Sequence, residues 1–254
     1  MDTFAVITGA SSGFGEAIAK KFASLGKNII ITGRRNERLI QLQAELNRFY
    51  PSVKCIISCF DVRNENEVFD AFNNLADEIK NGINLLVNNA GLAVGRGPID
   101  AGDSDDWNRM IDTNVKGLLY VSKAVIPLLK NHKNSQIVNI ASIAGKEVYS
   151  GGNVYCATKH AVDALSRAMR IDLLPYGIKV SNIAPGAADT EFSVVRFKGD
   201  TETAKSVYEG YQPLIAEDIA DAVEYVCSRP AHVTINDLVI MPTAQASATQ
   251  LVNH

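Results

Sequence analysis

Three features of this 254-residue chain predict a doubly wound α/β fold of the Rossmann type, a parallel sheet with helices on both faces. Short apolar runs rich in Val and Ile recur between longer stretches of helical periodicity, which is the rhythm of βαβ units. A glycine-rich turn follows the first run, at the strand end where open α/β sheets hold their ligands. No Pro/Gly/Ser-rich linker or block of like charge interrupts the pattern, so residues 1–254 read as a single domain.

The elements follow in order. Phe4 to Ile7 gives the first strand, residues 16–24 a helix stopped at Gly26, and residues 28–32 the second strand. Further strands are predicted at 53–60, 85–88, 136–140, 179–183 and 237–240, with helices at 35–49, 65–79, 107–131, 154–174 and 216–227 between them.

A chain that is 46% hydrophobic and 21% charged has ample apolar material for a core. Its formal net charge of −3 gives no broad field favouring nucleic acid or an anionic membrane, so a small molecule is the expected partner. Cys55, Cys59, Cys156 and Cys227 form no Cys-x-x-Cys pair and no ligand-like cluster with the four histidines, so no metal is expected. No basic segment precedes a long apolar run at the N-terminus, and none is long enough to span a bilayer. A cytoplasmic location is the resulting expectation.

The first strand leads into Thr8-Gly9-Ala10-Ser11-Ser12-Gly13-Phe14-Gly15. Glycines at 9, 13 and 15 let the backbone turn tightly and approach a pyrophosphate, while the next helix aims its first amides at the phosphate charge. A strand-to-helix turn needs glycine in any case, so the loop by itself leaves nucleotide binding open. Its Gly-x-x-x-Gly-x-Gly spacing departs from the Gly-x-Gly-x-x-Gly fingerprint and resembles the nucleotide loop of the short-chain dehydrogenase/reductase family. Later motifs match that family in the same order along nearly the whole chain. The resemblance implies a one-domain Rossmann-type enzyme, commonly a homotetramer, with Ser11, Ser12 and Phe14 joining the loop glycines at the cofactor.

At the end of the second strand, where an NAD enzyme usually carries an acid for the ribose 2′-hydroxyl, this chain has Gly33-Arg34-Arg35. Two guanidiniums can pair with a 2′-phosphate, which argues for NADP(H). A basic helix start on the surface, with Glu37 and Arg38 nearby, is the plainer alternative. By resemblance, Asp61-Val62 borders the adenine and Asn89, within Asn89-Ala90-Gly91, supports the cofactor. Pro185-Gly186 lies beside the nicotinamide carboxamide and Thr190 near the pyrophosphate.

Tyr155 and Lys159 are four apart in a helical pattern and so share a face. An adjacent ammonium would favour the phenolate, bringing the phenol into range for proton exchange with a substrate oxygen. Tyr-x-x-x-Lys is weak alone, since Tyr50-Pro-Ser-Val-Lys54 also matches it. Ser142 distinguishes the second pair: it closes the strand-like run Ile137 to Ala141, where a hydroxyl can stabilise developing charge. The family resemblance adds Asn114, in Asp112-Thr113-Asn114-Val115, as a proton relay through water to the lysine, and places Tyr155 and Lys159 against the cofactor as well. His160 lies about 100° round the helix from Lys159, which suits packing or a surface role.

Residues 32–39, Gly151 to Tyr155, Val195 to Asp200 and the ending Pro230 to Pro242 look like the NADP-dependent 3-hydroxy acid dehydrogenases of bacteria and yeast. That resemblance implies action on L-serine, L-allo-threonine or malonic semialdehyde at C3. A carboxylate substrate needs a cation, for which Arg196 is the candidate, a solvated loop arginine being the alternative. Lys146-Glu147 stands where apolar or aromatic contact is expected, and Ala184, Ala187 and Ala188 where larger or acidic residues are usual. A broader carbonyl or 3-oxoacyl reductase is the runner-up activity, and a nucleotide-sensing protein without turnover the alternative of another class.

Overall fold

The computed structural model describes residues 2–252. Seven parallel strands form one sheet: β1 (Phe4–Ile7), β2 (Asn28–Gly33), β3 (Cys55–Cys59), β4 (Ile83–Asn88), β5 (Gln136–Ile140), β6 (Lys179–Pro185) and β7 (Asp237–Ile240). Their spatial order is β3-β2-β1-β4-β5-β6-β7, so the chain reverses its direction of travel between β1 and β4. That switch opens a crevice beyond the carboxyl ends of the two strands, and the glycine loop empties into it.

Among the described residues the α-helices are α1 (Gly13–Ser24), α2 (Asn36–Phe49), α3 (Glu65–Asn73), α4 (Asp77–Lys80), α5 (Ser104–Ile111), α6 (Leu118–Leu129), α7 (Asn153–Asp172), α8 (Glu191–Arg196), α9 (Thr201–Ser206) and α10 (Ala216–Cys227). Strand alternation sorts the core into two layers. Ala5 and Ile7 of β1 face α1, α2 and α10 through Ile18, Phe22, Leu39 and Val223. Phe4 and Val6 face the other way, toward α6 and α7 through Val121, Val125, Val162 and Met169. Both faces being covered explains why the strands read as continuous apolar runs.

A polar chain crosses the second layer. The Asn88 amide donates to Ser122 Oγ (3.0 Å) and to Asn139 Oδ1 (2.9 Å), and the Asn139 amide donates to Ser166 Oγ (2.9 Å). These side chains are buried, and the bonds tie β4 and β5 to α6 and α7.

All seven strands lie where the periodicity puts them, within two residues at each end. The helices differ more. The 65–79 stretch is two helices, parted at residues 74–76. The long 107–131 helix starts earlier, at Ser104, because Asp103 accepts from Asp105 N and caps it. It is interrupted by a π turn at Asp112–Gly117, a local insertion often found at functional sites. Helices α8 and α9 have six residues each and carry too little pattern to be anticipated. Among the described residues no helix is long and apolar enough to cross a membrane.

Candidate active site

A cleft of about 540 Å³ runs from the glycine loop across the ends of β1, β4, β5 and β6 to the segment containing α8. Its floor is knitted from two loops. Thr8 Oγ1 accepts from the amides of Asn89 and Ala90, both at 3.0 Å, while Asn89 Nδ2 donates to Thr8 O at 2.8 Å. Two glycines are required by this interlock. Gly9 has φ +68°, and a Cβ there would lie 2.9 Å from Ala90 Cα; a Cβ on Gly15 would strike Gly9 O and Asn89 Nδ2. Asn89 therefore holds the glycine loop in shape while also lining the cleft. Gly13 faces Thr190 across the cleft, and Thr190 caps α8 by accepting from Phe192 N.

Arg35 wraps the loop, donating from Nε to Ser11 Oγ (3.1 Å) and from Nη2 to Ser12 Oγ (2.5 Å). Arg35 and Arg38 also hold Glu191, at 3.1 and 2.6 Å. Partial burial opposes ionisation of Glu191, but the two guanidiniums keep its carboxyl below the usual range. Arg34 lies beside Asp61 at 3.7 Å, and Arg63 binds Asp61 more closely at 2.6 Å. Arg34, Arg35, Asp61, Val62 and the glycine loop thus share one end of the cleft. The set fits a dinucleotide carrying a 2′-phosphate: exposed guanidiniums stand where an acid would repel that group, and close-packed glycines leave no side chain in the way of a pyrophosphate. Arg38 and Glu191 complete this end; the sequence showed Arg38 only as a helix-surface charge, and Glu191 comes from 156 residues away.

At the other end stand Ser142, Tyr155, Lys159, Pro185, Gly186 and Arg196. Ser142 follows β5, and its hydroxyl accepts from Ala144 N and donates to Pro185 O at 3.4 Å. Tyr155 and Lys159 project from α7 and are both buried. The lysine does not bring the phenol toward ionisation as the sequence suggested. Lys159 Nζ donates to Ile140 O at 2.9 Å and lies 5.9 Å from the phenol ring centroid. Burial pushes the Tyr155 phenol up, with Tyr149 adding to the shift; Ser142 and Arg196 oppose it. Burial also lowers Lys159, to about 8.

Asn114 sits in the π turn, fully enclosed. Its amide donates to Leu92 O (2.8 Å) and Thr158 Oγ1 (3.0 Å), and its oxygen accepts from Leu92 N (2.8 Å). The side chain therefore clamps the loop after β4 against α7. Gly186 is held by close approach, since a Cβ there would lie 2.5 Å from Gln245 Oε1, which accepts from Ala187 N. His160 is exposed on α7 and bonds back to Cys156 O, outside the cleft.

The uncertain stretch after Ser142 resolves into three roles. Lys146 turns outward to Asp163 (2.5 Å) and Asp237 (2.6 Å). Glu147 accepts from Ala248 N, fastening the C-terminal segment. The aromatic contact comes from Tyr149 instead, whose hydroxyl receives a bond from Arg196 Nη2 at 3.0 Å. Ala184 is core, while Ala187 and Ala188 line the cleft and Tyr208 leans in to bond Ala188 O. Tyr149, Tyr208 and Arg96 were not legible as cleft residues, because loops rather than a periodic element carry them there.

Residues 3–200 match the family model described as short chain dehydrogenase. The NADP-dependent 3-hydroxy acid dehydrogenase YdfG of Escherichia coli (strain K12) is 44% identical over 244 residues, covering 96% of each chain. Sulfoacetaldehyde reductase 2 of Chromohalobacter salexigens is 42% identical over 247 residues, covering 97% of this chain and 96% of that one. A solved structure, the closed form of serine dehydrogenase complexed with NADP+, superposes with a TM-score of 0.92 at 43% identity, covering 99% of this chain and all of the other. The chain belongs to the short-chain dehydrogenase family and is an oxidoreductase acting on CH–OH groups. The arginines at the end of β2, taken with these relatives, make NADP(H) its cofactor.

Proposed function

We propose that the chain, acting as one domain over residues 1–254, interconverts the C3 hydroxyl and carbonyl of a short 3-hydroxy acid such as L-serine, L-allo-threonine or 3-hydroxypropionate. When bound, NADP(H) accepts or supplies the hydride. Tyr155 exchanges the proton at the substrate oxygen: its raised pKa keeps the phenol protonated, ready to donate during carbonyl reduction. Ser142, which lines the same end of the cleft, offers the same oxygen a second donor. Lys159, with a pKa of about 8, supplies the replacement proton, and Asn114 positions the loop that borders it. Arg196 receives the carboxylate.

One observation carries this reading. The Arg196 guanidinium lies 5.8 Å from the ring centroid of Tyr155, so an acid held by the first presents its third carbon near the second. The relatives named for 3-hydroxy acids and for sulfoacetaldehyde share that requirement, an anionic group close to the reacting carbon. The family's usual homotetramer and a cytoplasmic location complete the proposal. The test is NADP reduction by purified protein with L-serine and 3-hydroxypropionate, for the native chain and Arg196→Gln. The Michaelis constant for the acids should rise far more than that for an uncharged alcohol; equal effects would reject Arg196 as the carboxylate partner.

A further inference from the structure

The substrate end of the cleft presents two guanidiniums. Arg96, in the loop after β4, and Arg196, at the end of α8, both line it. Backbone bonds fix their segments to one another: Gly95 N donates to Arg196 O (3.1 Å) and Gly97 N to Gly151 O (3.3 Å). Asn153 Nδ2 adds a bond to Gly97 O at 3.0 Å. Arg96 packs its stem on Gly151, where a Cβ would lie 3.0 Å from Arg96 Cγ. Arg196 gives Nη2 to Tyr149, while its Nε is buried with no partner. A held guanidinium with an unused donor is prepared for an acceptor that the protein does not itself provide.

The acids that line the cleft are both committed elsewhere. Asp61 and Glu191 line the cleft at its dinucleotide end, where Arg63, Arg35 and Arg38 hold them. Asp106, on the far side of the loop after β4, is bound by Lys198 at 2.8 Å. Among the described residues neither Arg96 nor Arg196 has a carboxylate within ion-pair distance. An entering anion therefore gains two charge-assisted partners. An ammonium meets two like charges.

We propose that Arg96 and Arg196 act together as a specificity pair, admitting short hydroxy and oxo acids that lack an ammonium group and disfavouring α-amino acids. This rests on the 3-hydroxy acid reading above and narrows it. L-serine and 3-hydroxypropionate form a matched pair for the question, since each carries its hydroxyl on the third carbon and its carboxylate on the first. They differ only in the amino group between.

The experiment compares kcat/KM with NADP for 3-hydroxypropionate, L-serine and 1-propanol, using the native chain and Arg96→Gln, a substitution at an exposed side chain. The native enzyme should favour 3-hydroxypropionate over L-serine by about tenfold or more. Arg96→Gln should depress turnover of 3-hydroxypropionate far more than that of 1-propanol and narrow that ratio. L-serine equal to 3-hydroxypropionate in the native enzyme, or a uniform loss on all three compounds in the variant, would overturn the pair while leaving the 3-hydroxy acid reading standing. Turnover of 1-propanol with neither acid accepted would reject that reading and the pair together.

Discussion

Arg35 bridges the two walls of the cleft, donating to Ser11 and Ser12 on the glycine loop and to Glu191 on α8 at 3.1 Å. Glu191 thereby lies against the guanidiniums that a ribose 2′-phosphate would engage. Removing this internal competitor should tighten cofactor binding. Glu191→Gln is expected to lower the NADP dissociation constant by about two- to fivefold, the scale of an exposed ion pair. Arg35→Leu should weaken NADP by about tenfold or more and NAD by much less. Titration calorimetry reads both; an unchanged NADP affinity in Arg35→Leu would contradict the assignment.

Tyr155→Phe should lower kcat by about a hundred- to ten-thousandfold, the range for loss of a positioned acid or base. Cofactor affinity should persist, because the glycine loop and Arg35 are untouched. Full turnover by the variant would show that another group handles the proton.

Lys159 contributes a definite pH dependence of stability. Its folded pKa is about 8 and its ordinary value 10.5, so between those values the unfolded chain binds more protons. Stability from this group alone must rise with pH across that window. Cys55 and Cys227, both pushed up to about 12 by desolvation, act in the opposite sense above their ordinary value of 9.0. The clean measurement is therefore a difference: urea unfolding of the native chain minus Lys159→Met should gain about 3 kcal/mol from pH 7 to pH 11. A difference that is flat with pH would mean that the buried amine is not strained.

Gly15→Ala should abolish cofactor binding and lower stability, since the added carbon meets Gly9 O and Asn89 Nδ2. Asn89→Ala, which leaves the space free but cuts the bonds to Thr8 O and Gly9 O, should cost about 1–3 kcal/mol of stability. Chemical denaturation separates the two.

Lys146→Met should destabilise the chain by about 1–3 kcal/mol, because Asp163 is only 14% exposed and would keep Arg167 as its single cationic partner. Adding Asp163→Asn should recover part of the loss. No recovery would indicate that the pair is a surface ornament.

Much of this architecture is written in local pattern. The seven strands, the glycine loop and the trio Ser142, Tyr155 and Lys159 follow from apolar runs, a strand-to-helix turn and a four-residue spacing. What stayed hidden depends on distant segments meeting. Nothing local says that Lys146 leaves the cleft for Asp237, 91 residues on, or that Tyr149 takes its place. The spacing of Tyr155 and Lys159 was right, but its electrostatic consequence was not. Proximity along α7 says nothing of burial, and burial dominates both side chains. The π turn was illegible for a related reason: its placement of Asn114 against Leu92 is a tertiary contact that overrides regular helical winding.

The buried amides of Asn88 and Asn139 bear on how the chain reaches this state. Parallel sheets must join segments far apart in sequence, and apolar strands of similar composition offer several near-equivalent alignments. Sliding β4 past β5 by one residue would turn the Asn88 amide to the opposite face, away from Ser122 and Asn139, and leave polar groups stranded in hydrocarbon. The ladder of bonds thus works as a proofreading device during assembly, penalising misaligned sheets more heavily than it stabilises the right one.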